Sequence, residues 1–229
     1  MLDDIAEHNR KLSVKELESA TTALALLGTS LSVLYQASTC HRKCFGGPHV
    51  LEGLCGRAYN LACGSYLLIC RGFYDEALNL VRSIGEIANL ISLSVVDKEA
   101  LRKWLQSDVK TRIREFGPAK VRKLLARHEP FLTCADQNWY TRFCENYTHV
   151  HPGTKPNVHN PDGKAYVGGI VQHDGIKLAI DELTNVITHL AMFVSKYTQM
   201  DDLFSEIRAL IRSQNDKPAS EATGSGATT

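Results

Sequence analysis

The sequence predicts an all-α protein, an antiparallel bundle of about six to eight helices in a single domain over residues 1–213. Three observations predict it. Apolar residues recur at helical steps, as in Val14, Leu17, Leu24, Leu27, Leu31 and Leu34. No stretch carries a convincing strand pattern. Short clusters of Gly, Pro, Asn and Asp separate the periodic segments, and short connections favour antiparallel neighbours.

Each element has its own signal. Ser13-Val14-Lys15-Glu16 matches a capping box, so a first helix is expected over 14–38. Gly46-Gly47-Pro48 breaks the chain. A second helix follows over 49–71, carrying Gly53, Gly56 and Gly64, which suit close approach of a neighbour. Gly72 is placed to cap it. A third helix is expected over 74–95 and a fourth region over 97–127, broken near Gly117-Pro118. The segment 136–150 reads as a helix ended by Pro152-Gly153, and 152–169 as a loop. Helices over 171–198 and 201–213 close the domain. The tail 214–229 has too little apolar content to order itself.

Composition narrows the function classes. The 229 residues are 44% hydrophobic and 22% charged with a net charge of +1, so the whole chain carries no bias toward nucleic acid or membrane. No apolar run is long enough for a membrane span. The acidic start, Met1-Leu2-Asp3-Asp4, is unlike a signal peptide. Seven cysteines is an odd number, and Cys55, Cys63 and Cys70 sit in helix-like apolar runs. A reducing, cytoplasmic setting fits them better than a disulfide scaffold.

Two stretches carry candidate chemistry. On the third helix Asp75, Asn79, Arg82, Glu86 and Asn89 follow steps of four, three, four and three, which makes one polar stripe on an apolar helix. The stripe is either a solvent face or the lining of a cleft. The second stretch is "RFCENYTHVHPG", Arg142 to Gly153, where a helix ends on His149 and His151. Histidine titrates near neutral pH and also suits the end of a helix dipole.

The segments "GFYDEALNLVRSIGE" and "YTHVHPG" resemble a family of bacterial and phage helical domains of unknown function. That family shares a Gly-aromatic run into Arg-Ser-x-x-Glu and a later histidine at a helix end. The resemblance covers residues 49–95 and 136–152 and implies a bundle with Arg82, Glu86 and the later histidine near one another. More loosely, the chain resembles HEPN domains, which are all-helical, often dimeric and often metal-independent ribonucleases with an Arg-x(4–6)-His motif. Arg142 and His149 have six residues between them. In that chemistry a histidine moves the proton of a ribose hydroxyl, and an arginine stabilises the phosphate. Phe143 departs from the polar residue that commonly follows the arginine in active members.

The expected site is therefore a cleft of Arg82, Glu86, Arg142, His149 and His151. The expected function is RNA cleavage or RNA binding of the HEPN kind, in host–phage conflict. The rival is a non-enzymatic interaction module in which the same residues are structural. Residues 98–127 hold ten basic and three acidic side chains, a local excess of +7, which offers RNA a phosphate-binding surface or is a solvated helical face. A homodimer is expected from the leucine seam of the first helix and the glycines of the second. No cofactor is assigned. Cys40, His41, Cys44, His49 and Cys55 are ligand types that zinc favours, but their spacing reads first as a polar interhelix loop. His149 and His151 with His159 or His173 are a second, undecided ligand set.

Overall fold

The computed structural model describes residues 2–44, 46–128 and 130–215. The described residues are helical with no strand, and they form an all-α bundle. The long helices are α1 (Leu2–Leu17), α2 (Thr21–Ser38), α3 (Val50–Ile69) and α4 (Tyr74–Val96). Three short ones follow, α5 (Ala100–Gln106), α6 (Val109–Phe116) and α7 (Pro118–His128). A 3-10 turn at Pro130–Leu132 leads to α8 (Gln137–Phe143), which runs on as a π-helix over Cys144–Thr148. The chain closes with α9 (His173–Tyr197) and α10 (Asp201–Asn215). The expected tail lies, from residue 216 on, outside the described residues. No single helix among those residues is long and apolar enough to cross a membrane.

The core sits between α2, α3, α4 and α9. Leu34, Ile69, Leu78, Ile84, Leu183, Ile187 and Leu190 are almost wholly buried there. Each such side chain contributes roughly 1.5–3 kcal/mol by leaving water. A smaller cluster of Leu93, Ala100, Val121, Leu125 and Leu132 seats α5 and α7 on the end of α4.

Helices α2, α3 and α4 run antiparallel in succession. The Tyr35 and Tyr59 rings lie 5.7 Å apart, and Gly56 sits against Ser38, so α3 folds back on α2. Ser65 Oγ donates to the Ala77 carbonyl at 3.1 Å, while Leu54 and Leu90 line one cavity at the far end, so α4 folds back on α3. Helix α9 instead runs parallel to α4 and α2. At one end Tyr74 Oη accepts from the Gln172 backbone N–H at 3.0 Å, and at the other Ile91 and Val95 share a cavity with Phe193 and Tyr197. Ala20 and Ala23 share a cavity with Ile176 and Ile180, and further along Ser30 and Thr188 hydroxyls meet at 3.2 Å. The cause is the long crossover 97–172, which carries the chain back to the start of α4.

Several boundaries differ from the sequence expectation. The helix expected over 14–38 is two helices bent by 107°. Ser13 does not cap anything. It is buried inside α1, whose first turn already carries Asp3 and Asp4. A capping pattern is local and cannot register a helix that began a dozen residues earlier. Within 97–127 a further break falls at Asp108, whose carboxylate accepts from the Thr111 N–H and caps α6. Pro118 opens α7, where its missing N–H costs nothing. The leucine seam and the glycines Gly56 and Gly64 are used within the chain, against Ser38 and Leu80. Those faces are therefore occupied within one chain.

Gly72 closes the α3–α4 turn with φ +80°, and a Cβ there would lie 2.4 Å from the Ile170 carbonyl oxygen. Gly72→Ala is expected to cost about 1–3 kcal/mol, read as a lowered urea midpoint with unchanged slope. His189 gives a second test. Burial pulls its pKa below the ordinary value of 6.5, against a backbone bond to Leu132, and its Nε2 has no hydrogen-bond partner among the described residues. The ring's neutral form therefore contributes stability that is complete above pH 6.5 and is lost as pH falls through the depressed folded value. Melting temperature is expected to fall as pH drops below 6.5, and His189→Gln should flatten that fall.

Candidate functional site

The polar stripe of α4 is covered by the segment 135–159, and each stripe residue meets its own partner there. Asn89 exchanges two hydrogen bonds with the Ala135 backbone, at 2.8 and 3.2 Å. Glu86 accepts from Tyr140 Oη at 2.8 Å and from Arg82 Nη2 at 2.9 Å. Arg82 also donates to Tyr140 Oη at 2.8 Å and, through Nε, to Cys144 Sγ at 3.3 Å. Asn79 accepts from Thr148 Oγ1 at 3.0 Å. Asp75 accepts from the Asn157 N–H at 2.7 Å and bonds His159 Nε2 at 2.8 Å. The rungs run in antiparallel order. Gly85 permits the close approach, since a Cβ there would lie 3.0 Å from the Ala135 Cβ and 3.1 Å from the Trp139 ring.

The electrostatics follow from this packing. Burial works to lower the pKa of Arg82, but Cys144, Glu86 and Tyr140 outweigh it and hold the guanidinium charged. Burial also pushes Tyr140 up, and the Glu86 carboxylate adds to it, so the hydroxyl keeps its proton. Arg122, itself buried, lies 3.8 Å over the Tyr140 ring. A cation over an aromatic face out of water is worth about 2 kcal/mol.

Of the expected site residues, Arg82 and Glu86 come together and the others go elsewhere. Arg142 pairs with Glu182 of α9 at 2.7 Å, and Trp139 Nε1 donates to the same carboxylate at 2.8 Å. His149 is exposed, with its N–H on the Cys144 carbonyl at 2.8 Å. His151 accepts through Nδ1 from the Gly153 N–H at 3.0 Å. It lines an open cavity of about 400 Å³ with Asp75, Tyr147 and His159. Neither histidine contacts Arg82, Glu86 or Arg142 among the described residues. The reason is the π-helix. A seven-residue step puts Arg142 and His149 on one face only at α-helical pitch. Residues 144–148 wind more loosely, with i→i+5 bonds, and His149 leaves the helix with extended backbone.

Sequence reasoning missed Tyr140, Cys144 and Glu182, whose roles depend on contacts 40–62 residues away. It also missed Asn157, which is buried at φ +48° and joins Gly72, Tyr74, Asp75, Gly168 and Gln172. The Pro156-Asn157 turn signal was its one trace in the sequence.

Two other features bear on function. The face of α5–α7 exposes Lys110, Lys123 and Arg127, none with an acidic partner among the described residues. Val109 and Ile113 are exposed beside them. At the α2–α3 junction, ligand atoms of Cys40, Cys44, His49 and Glu52 lie within 4.8 Å of one another. They are the one such group among the described residues. Their closeness pushes the Cys40 thiol up to about 11, through the Cys44 thiol first, then partial burial and the Glu52 carboxylate. His41 and Cys55 stand outside this group. Burial pushes Cys55 up to about 12, which leaves an inert thiol. His173 bonds Glu16 and His159 bonds Asp75, and His149, His151, His159 and His173 form no such ligand group among the described residues.

Fold and site together define a helical bundle whose central helix is zipped to a returning strap. Comparison of the chain with protein-family models, curated proteins and solved structures finds no match.

Glu86→Ala removes the acceptor of two hydrogen bonds but leaves Arg82 with Tyr140 and Cys144. The expected loss is about 1–3 kcal/mol by urea unfolding, below the 3–5 kcal/mol of a fully buried pair. Tyr140→Phe is expected to cost about 1 kcal/mol. A double variant losing less than the sum of the two singles would show that they act in one network.

Proposed function

We propose that the chain is a non-enzymatic helical interaction module, in which Arg82, Glu86 and Arg142 hold the bundle together. The observation that supports this reading is the ladder. Every residue of the α4 stripe, and Arg142 beside it, is engaged by another side chain or backbone group within the fold. A HEPN-type reaction asks an arginine and a histidine to meet one phosphate. Here the Arg142 guanidinium is held by Glu182, and His149 stands outside the helix. The seven free thiols fit a reducing cytoplasm.

A second reading, RNA binding without cleavage, is favoured by the α5–α7 face. A chain of net charge +1 concentrates an excess of +7 over residues 98–127. Asp97, just outside that range, pairs with Lys103 and offsets one unit of it, while the pairs Arg102–Glu99 and Arg114–Glu115 lie inside the count. Lys110, Lys123 and Arg127 are left to meet an anion from outside. Phosphate neutralisation by such residues makes affinity depend on salt.

The test separates module from nuclease. The full chain is expected to leave single-stranded RNA intact over hours, and His149→Ala to match the wild type in melting and in this assay. Cleavage by the wild type that disappears in His149→Ala would overturn the module reading. If RNA binds, Lys110→Glu, Lys123→Glu and Arg127→Glu combined should weaken it severalfold and lower the salt slope by about 2.

A further inference from the structure

The α2–α3 junction assembles four donors from two turns of chain. Cys40 follows the end of α2, Cys44 lies in the loop, His49 caps the start of α3, and Glu52 stands in its first turn. Cys40 Sγ is 3.7 Å from His49 Nδ1 and 3.9 Å from Glu52 Oε1. Cys44 Sγ is 3.9 Å from the same Nδ1, and Nδ1 is 3.5 Å from Glu52 Oε1. These separations can be set against a tetrahedral zinc centre. With Zn–S about 2.3 Å and Zn–N or Zn–O about 2.1 Å, the edges are about 3.6 Å from sulfur to nitrogen or oxygen and about 3.4 Å from nitrogen to oxygen. Four of the six edges exceed these by only a few tenths of an ångström, and the Cys40–Cys44 and Cys44–Glu52 edges lie within 4.8 Å. A contraction of the four side chains toward a common centre would close the tetrahedron.

We propose that Cys40, Cys44, His49 and Glu52 form a structural zinc site. Donor chemistry selects the metal. Two sulfurs and an imidazole suit Zn²⁺ and are poor ligands for Mg²⁺ or Ca²⁺. Four protein donors leave no open position, which marks a structural rather than a catalytic centre. Binding forms two Zn–S bonds, one Zn–N and one Zn–O, and releases the two thiol protons to solvent, with no change of oxidation state. The backbone supports the assignment. Cys40 at φ +54° and His49 at φ +47° both hold left-handed conformations that cost free energy for residues with a Cβ. A metal shared by both would offset that cost. The same loop ties down the last helix, because Arg42 pairs with Asp202 at 2.6 Å and Lys43 donates to Gln199 at 3.2 Å. Zinc would fasten the α2–α3 corner and, through it, α10.

The sequence conceals this site because its ligands follow no paired Cys-x-x-Cys rule. Its signature is a four-residue step, Cys40 to Cys44, followed by a three-residue step, His49 to Glu52. The second step spans one helical turn, which brings both side chains to one face.

The experiment uses the full chain under a thiol reductant. Zn²⁺ is added, excess is removed, and bound metal is counted by mass spectrometry. A single equivalent is expected, and a chelator should lower the melting temperature. Co²⁺ in place of zinc should show a thiolate charge-transfer band and the visible bands of tetrahedral cobalt. Cys44→Ser and His49→Ala should lose the metal, while Cys63→Ser, outside the site, should keep it. Glu52→Gln should weaken zinc by more than the roughly 10–100-fold that loss of an outer-shell partner costs. Should a substituted chain fail to fold, the wild-type cobalt spectrum decides alone. Absence of stoichiometric zinc, a cobalt spectrum without thiolate bands, or retention of metal by both Cys44→Ser and His49→Ala would overturn the site.

Discussion

The zipping of the α4 stripe to residues 135–159 is the interaction on which the rest of the structure depends. Helix α4 lies at the centre of the bundle, packed on α3, α9 and α7 at once. A helix in that position is normally apolar all round. This one carries Asp75, Arg82 and Glu86, each of which would be costly to bury alone. The strap resolves the conflict by bringing a matching partner to each. It must therefore travel the length of α4, from Ala135 beside Asn89 to His159 beside Asp75. That path ends at the start of α4, so α9 has to begin there and run parallel. One satisfied stripe thus sets the topology of the second half of the chain.

What was legible in the sequence was local. The helices over 74–95 and 171–198 were legible because long apolar periodicity survives a few exceptions. Gly72 and Gly117-Pro118 announced their breaks through backbone chemistry alone. Ser13 misled because a capping pattern carries no information about what precedes it. The α4 stripe was legible as a period, but its partners were not, because Tyr140 and His159 lie 54 and 84 residues further on. The expected convergence of Arg142 and His149 assumed uniform helical pitch. The π-helix over Cys144–Thr148 removed that assumption, and no residue in CENYT signals it. The cysteine cluster was visible as ligand types, but Glu52 joins it only because the corner folds back on itself.

The electrostatics separate two roles for arginine. Arg82 and Arg142 are held by Glu86 and Glu182, within networks that also bind Tyr140 and Trp139. Such side chains orient elements of the fold, and the energy of their hydrogen bonds is spent within the chain. Lys110, Lys123 and Arg127 stand on a face with no such partners, where their charge acts on whatever approaches. Charge placed on a surface steers association, and charge placed in a ladder specifies a packing. This chain keeps the two apart by position along the sequence, 98–127 for the first and 75–89 with 135–159 for the second.

The two regions nevertheless share a residue. The Tyr140 hydroxyl belongs to the ladder, between Arg82 and Glu86, while its ring supports Arg122 of α7. Arg122 also donates to Gln137 Oε1 at 3.1 Å, one turn before Tyr140 on α8. Helix α7 of the basic face is thus seated by the Leu93–Leu125 cluster on one side and by α8 on the other. Because Arg122 is buried and its Nε and Nη1 find no hydrogen-bond acceptor among the described residues, the ring face is its chief compensation there. A change that moves Tyr140 therefore withdraws support from Arg122 and from Glu86 together. The basic face of α5–α7 and the strap that orders the core are coupled through one aromatic side chain.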